Sequence, residues 1–431
     1  MRTAIVLGGY GLIGSACMRA LADAGFRVVG IGRSRRSAMA ADPSADWVIR
    51  DIPTITTEEW RDLLAGADVL VNAAGALQDG ARDDLEAIHV TAISRLVEAV
   101  AAIPLRIVQI SAAGAAADAS TAFFRTKARG EAILAADAGD WVILRPTLVL
   151  SQDAYGGTAL LRAAAALPLI LPRMLRDAQV QTVYIGDVAA AVVAAARREV
   201  PSGMIADLTE HEARSFPDLL ARVRRWQGWS QPVFRPVIPS VLLSVIGRGA
   251  DLLGHLGWRS PLRTTALQAL SEGIRGDPAT WEASGRRPCR SLDETLAHLP
   301  ATRQERLFAR AYIALPLAIG TLAVFWCLSG LITLFDLPRA IAVLSDRAAP
   351  PSVAGAIAFG GAIADLLLGL AILWRPWTRP AALGMLALSG AYLAGSLVVA
   401  PDLWADPLGP MVKVLPGMAL AVLVWLLMEE R

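Results

Sequence analysis

The chain of 431 residues is long enough for two or three domains. Apolar residues make up 55% of it and charged residues 19%, with a mean hydropathy of +0.47. That composition excludes intrinsic disorder and argues against a wholly soluble protein, and a net charge of +2 gives no footprint for a nucleic-acid partner.

The average conceals a split. Residues 311–431 hold only 13 of the 80 charged side chains, and the rest of the chain reads as a soluble α/β protein. Three cysteines, Cys17, Cys289 and Cys327, lie too far apart for a local metal knuckle. They leave one unpaired in any disulfide scheme, which fits a reducing compartment. Of 41 basic residues only two are lysines, Lys127 and Lys413. Where arginine is so strongly preferred, a retained lysine is a candidate for a place that needs an ammonium.

The apolar run at residues 3–7 is too short for the core of a signal peptide and leads straight into glycines. It predicts a buried strand followed by a turn. Strand-like runs recur at 27–31, 47–50, 69–72, 105–110 and 141–144, separated by predicted helices such as 12–24, 85–101 and 123–136. Continuous apolar strands alternating with helices predict an α/β Rossmann-like, doubly wound parallel sheet. After Pro146, short strands at 179–185 and 203–208 mark a substrate lobe over about residues 146–300. Residues 232–262 are rich in Pro, Gly and Trp and carry apolar runs at 241–246 and 252–258. A membrane-surface flap, a cover over an apolar substrate and plain core all fit, core being the simplest.

Gly8, Gly11 and Gly14 form a G-x-x-G-x-x-G run between the first strand and the first helix. The early glycines permit a tight turn and close approach of backbone to a pyrophosphate. Gly14 lets the helix pack on the sheet, and the helix start at Leu12 and Ile13 faces the phosphates. An acid at the end of the second strand would select NAD through the ribose 2′-hydroxyl. The chain instead has Gly32-Arg33-Ser34-Arg35-Arg36. Arg33 is placed to pair with a 2′-phosphate, so NADP is the expected cofactor.

Further landmarks are Asp51-Ile52 after the third strand, Asn72-Ala73-Ala74-Gly75 after the fourth and Ser111 after the fifth. Phe123-Phe124-Arg125-Thr126-Lys127 and Arg145-Pro146 follow. With these, residues 1–300 resemble the short-chain dehydrogenase/reductase superfamily. They look most like its atypical, extended group, which includes the NAD(P)-binding accessory subunit of mitochondrial complex I and NmrA-type proteins. The resemblance implies that Asp51, beside Ile52, contacts adenine, that Ala73 and Ala74 line the cofactor, and that Lys127 holds the nicotinamide ribose. It also makes Ser111 the polarising serine. The family's catalytic element is Tyr-x-x-x-Lys, and here Phe123 stands where the tyrosine belongs. The Asn of the preceding helix is likewise replaced, by His89. Ser111, His89, a water, Tyr155 or Tyr184 are candidates to replace the phenol. Catalytic roles are therefore expected of Lys127 and Ser111. His211, His255 and His298 lack partners at ligand spacing, and no metal site is expected.

Four apolar segments follow a basic junction at residues 301–310: 311–335, 352–374, 381–400 and 411–428. They predict an all-α four-helix transmembrane bundle over residues 311–431. Basic flanks place the soluble domain, the Arg375–Arg379 turn and the C-terminus on the cytoplasmic side of an inner membrane, with Trp374, Trp377 and Trp404 at the interfaces. Asp365, about mid-span, is a functional candidate, either protonated or hydrogen-bonded; a pair with Lys413 would need groups at different depths. Gly355, Gly360, Gly361, Gly369, Gly384, Gly390 and Gly395 suit close helix contacts. The fragments Asp365-Leu-Leu-Leu-Gly369, Trp374-Arg375-Pro376 and Trp404-Ala-Asp-Pro-Leu-Gly-Pro410 resemble DoxX-like membrane domains, some of which are associated with quinone-linked sulfur oxidation. The expected function is a membrane-anchored NAD(P)H-binding oxidoreductase acting on an apolar, bilayer-soluble substrate such as a quinone or lipid. Phe123 also fits a non-catalytic redox sensor or accessory subunit.

Overall fold

The computed structural model describes residues 1–80, 84–101, 103–258, 260–347 and 350–428; the C-terminal end, expected on the cytoplasmic side, lies outside the described residues. Two compact units form, Met1–Asp251 with Ser260–Arg306, and Leu252–Arg259 with Leu307–Arg431.

The first unit is built on a seven-stranded parallel sheet. Its strands are β1 (Thr3–Leu7), β2 (Arg27–Gly32), β3 (Asp46–Ile49), β4 (Val69–Asn72), β5 (Arg106–Ile110), β6 (Asp140–Pro146) and β7 (Met204–Leu208). Their order is β7-β6-β5-β4-β1-β2-β3. Side chains alternate across a strand, so Ala4 and Val6 enter one core and Ile5 and Leu7 the other. Burial on both faces explains why the strands read as unbroken apolar runs. The strand order reverses between β1 and β4, and the crevice at their carboxyl ends is where such sheets take ligands.

The run at 203–208, expected in the lobe, instead joins the main sheet, paired in parallel with β6. The run at 179–185 divides: Gln179–Val180 pairs with Arg214–Ser215, Thr182–Tyr184 pairs with Leu148–Leu150, and Ile185 begins a helix. A buried carboxylate fixes this part. Glu210 accepts hydrogen bonds from the Thr182 N–H at 2.9 Å and hydroxyl at 2.7 Å and from the Leu292 N–H at 2.8 Å. It also pairs with Arg214 at 2.6 Å. These partners replace the water a carboxylate loses on burial.

Residues 240–255 form one helix, but it is not core. Leu243, Gly247 and Ala250 are buried, whereas Val241, Leu242, Val245 and Ile246 are exposed.

In the second unit, Arg303–Phe335, Pro351–Ala371 and Arg375–Val399 are long and apolar enough to cross a membrane. The fourth segment forms a shorter helix, Val414–Leu427, because residues 411–413 turn instead. Its 14 residues span roughly 21 Å, short of a ~30 Å hydrocarbon core. A further helix, Leu337–Ser345, occupies the first connection. Arg347 pairs with Asp402 at 2.8 Å, which brings the first and third connections to one end of the bundle.

Asp365 is buried, accepting from the Ser329 hydroxyl at 2.7 Å and the Tyr392 hydroxyl at 3.0 Å rather than meeting Lys413. Gly361, Gly369 and Gly384 make close contacts: a Cβ there would meet Tyr392, Cys327 or Leu368 within 2.8 Å. Gly360, Gly390 and Gly395 face open space. The tightest backbone crossing falls at Gly330, where a Cβ would stand 2.5 Å from the Ala362 carbonyl. Gly330→Ala therefore forces two helices apart and costs about 1–3 kcal/mol. Thermal unfolding in detergent should show a lower Tm for this variant and little change for Gly390→Ala; equal values would contradict the crossing.

Candidate functional site

The residues singled out from sequence gather at the carboxyl ends of five adjacent strands, β3-β2-β1-β4-β5. The turn after β1 begins with Gly8 at φ +68°, a conformation that glycine adopts without steric cost. The Gly8 N–H donates to the Ile31 carbonyl at 2.9 Å and the Gly11 N–H to the Gly8 carbonyl at 2.8 Å. A Cβ at Gly8 would stand 3.0 Å from the Ala73 carbonyl and the Ala74 backbone, so the turns after β1 and β4 abut. A Cβ at Gly14 would collide with the Gly8 carbonyl oxygen. The helix Leu12–Asp23 starts at Gly11 with no side-chain cap and no acid in its first turn. Its first N–H groups and positive dipole end suit an anion. Here the sequence supplies what a dinucleotide's pyrophosphate requires: a cradle without side chains and an uncapped helix start.

Arg33 leaves β2 exposed, its N–H donating to the Tyr10 hydroxyl at 3.2 Å. The Tyr10 ring covers Gly32, where any side chain would collide with it. Tyr10 was not among the expected site residues, although it is the one aromatic group inside the glycine run. Ser34 caps the next helix, Arg35–Ala41. Asp51 is exposed at the start of a short 3-10 turn. Ile52 does not share that exposure and packs in the core with Ile55 and Trp60. Asn72 shapes the β4 turn, accepting from the Ala74 N–H at 3.2 Å and donating to Gln109 at 2.9 Å.

The other end of the crevice holds Lys127, on the helix Ala122–Asp137. It is buried, and its Nζ donates to the Ile110 carbonyl at 3.1 Å. Burial lowers its pKa to about 8 despite the opposing charge of Glu131 one turn away. Glu131 in turn receives Arg145, with Nε–Oε1 at 3.0 Å. Ser111 follows β5; its hydroxyl is buried and has no hydrogen-bond partner among the described residues.

His89 lies on a π-helical turn, Ala87–Thr91, that opens the helical stretch expected over 85–101. Gly130 admits the His89 carbonyl, which any side chain there would strike. The imidazole is fully engaged. Its Nε2 accepts the Ala76 N–H at 3.4 Å, and its Nδ1 lies 2.9 Å from the Thr126 hydroxyl. That hydroxyl donates to the Phe123 carbonyl at 3.1 Å, which assigns the ring proton to Nδ1. Burial, with the Lys127 charge beside it, lowers the His89 pKa to about 2. His89 is neutral at physiological pH and is no proton donor.

Phe123 packs against His89, ring centroids 5.8 Å apart. Tyr155 is exposed at the start of its helix, and Tyr184 lies edge-on to His298 under the Arg290 guanidinium. A cavity of about 220 Å³ is lined by Gln78, Ser120, Thr121, Ala122, Arg263 and Gln268 among others. His211 pairs with Glu282 at 2.7 Å, a contact between distant positions that spacing could not reveal.

An NAD(P)H-binding family model matches residues 8–198, and a DoxX-like family model matches residues 323–422. No curated protein matches the chain. Among solved structures, the fold is similar to the Bordetella bronchiseptica enzyme WbmH in complex with NAD+. That match has TM-score 0.53 and 17% identity, over 69% of this chain and 97% of that one. It is also similar to UDP-glucose 4-epimerase of Thermotoga maritima with UDP-glucose, at TM-score 0.52 and 14% identity, over 72% and 99%. A third is WbmG of B. bronchiseptica in complex with NAD and UDP, at TM-score 0.51 and 15% identity, over 68% and 92%.

Proposed function

From a chain that joins an NAD(P)H-binding domain to a DoxX-like domain, we propose a membrane-anchored, NADPH-dependent reductase of an apolar, bilayer-soluble substrate such as a quinone. The nucleotide domain and the C-terminus face the cytoplasm. Gly8, Gly11, Gly14 and the helix start at Leu12 and Ile13 hold the pyrophosphate, Ala73 and Ala74 flank it, and Asp51 meets the adenine end. Ile52 supports that turn from the core. Bound NADPH supplies the hydride.

The observation that carries the reading is the buried Lys127 ammonium, its pKa lowered to about 8, held on the carbonyl of Ile110, the residue before Ser111, whose buried hydroxyl has no hydrogen-bond partner among the described residues. No phenol stands between lysine and substrate. Lys127 therefore delivers the proton to the substrate oxygen itself, and solvent restores it. Ser111 donates to the oxygen that accepts charge. A quinone gains one hydride and one proton and leaves as the quinol.

The sign of the pH dependence follows. Lys127 carries its proton below its pKa, so NADPH oxidation by short-chain quinones should be level below about pH 8 and fall above it. Lys127→Ala should lose at least tenfold in kcat. Turnover indistinguishable from Lys127→Ala across quinones and membrane lipids would defeat the enzyme reading. It would favour a nucleotide-binding sensor or accessory subunit, which Phe123 supports.

Arg33 provides the cofactor preference, its guanidinium pairing with the 2′-phosphate. Arg33→Ala should weaken NADPH binding about tenfold or more, a loss of ~1.4 kcal/mol or more, while NADH binding hardly changes. Equal losses for both nucleotides, by fluorescence titration, would refute that role.

A further inference from the structure

The helix Ser240–His255 has three faces, where a helix of a soluble domain has two. Leu243, Gly247 and Ala250 face the protein interior. Ser240, Ser244, Arg248, Asp251 and His255 recur at helical spacing and form a polar stripe. The third face is apolar and uncovered: Val241 is 74% exposed, Val245 58% and Leu252 68%, with Leu242, Ile246 and Leu253 alongside. The segment that leads into the helix exposes Val233, Phe234 and Val237 as well. Segregation of polar from exposed apolar residues shows that this face is not an ordinary solvated surface.

We propose that this face is an interfacial membrane-binding helix, lying in the headgroup region of the bilayer with Val241, Val245 and Leu252 toward the acyl chains. Two observations commit it to lipid. The first is charge. Asp251 is engaged by Arg263 at 3.1 Å and by the Thr264 hydroxyl at 2.7 Å, while Arg248 stays exposed on the polar stripe and Arg235 is exposed just before the helix. A cation beside an apolar stripe suits anionic headgroups. The second is continuity. The last turn of the helix, from Leu252, belongs to the unit that carries the apolar spans. There the Leu256 carbonyl accepts the Arg375 N–H at 3.1 Å, and the Trp258 indole donates to the Leu373 carbonyl at 2.6 Å. Residues 373–375 form the turn between two of the spans, where Trp374 and Trp377 are half exposed and stacked 6.4 Å apart. Tryptophans at span ends mark the bilayer interface, so the segment from Leu252 to Trp258 lies at the level where the spans of its own unit leave the lipid.

This proposal is independent of whether the nucleotide site turns over. Its test uses the full chain in vesicles of phosphatidylcholine and phosphatidylglycerol, spin-labelled at Val245→Cys or at Arg248→Cys, with the signal of the unsubstituted chain subtracted. Both positions are exposed, so the substitutions leave the fold intact. The label at 245 should collide more with oxygen than with a water-soluble nickel chelate, and the label at 248 should show the reverse ratio. Equal nickel access at the two positions would place the face in water and overturn the proposal. A label at 245 shielded from both reagents would overturn it too, by showing that a second copy or another protein covers the face.

Discussion

The nucleotide site rests on a backbone contact that leaves no room for a side chain. The Gly8 carbonyl oxygen occupies the space a Cβ at Gly14 would need, and the turns after β1 and β4 meet at Gly8 with similar closeness. These contacts set the helix start of Leu12–Asp23 directly over the switch point of the sheet. Any side chain at Gly8 or Gly14 would lift the helix and separate the two turns. Arg33, Ala73 and Ala74 owe their positions to strands anchored on that junction.

At the other end of the crevice the controlling quantity is desolvation. A buried ammonium is unfavourable, and Lys127 keeps its place through the Ile110 carbonyl and the Glu131–Arg145 pair behind it. The same burial moves its pKa toward neutrality and keeps His89 unprotonated. Of the neighbours Lys127 and His89, Lys127 is the one that carries a proton at neutral pH.

Much of this was legible from residue order. β1 and β4 have the expected bounds, and the glycine spacing located the junction, because close backbone approach excludes every other residue type. The lysine stood out through arginine bias. What spacing could not show depended on contacts between distant segments. Tyr10 over Gly32, Thr126 beneath His89 and Tyr392 on Asp365 join positions 22 to 37 residues apart. The 203–208 run joined the main sheet because β6 offered it an open edge. The 240–255 helix misled the core reading for a different reason. Its composition is that of buried helix, and an apolar side chain in lipid cannot be told by composition from one in a protein interior. The final apolar segment lost its first residues to a turn, leaving a helix shorter than its hydropathy implied.

The central claim is that this junction and the buried lysine hold a reduced, phosphorylated nicotinamide nucleotide. The most direct measurement is to purify the full chain in mild detergent, denature it and identify the released nucleotide by chromatography and mass spectrometry, alongside Gly14→Val as a control. The account predicts NADP(H) at near-stoichiometric amounts from the natural chain and none from the variant. Absence of any nicotinamide nucleotide from the natural chain, with no binding when NADPH is added back, would contradict it.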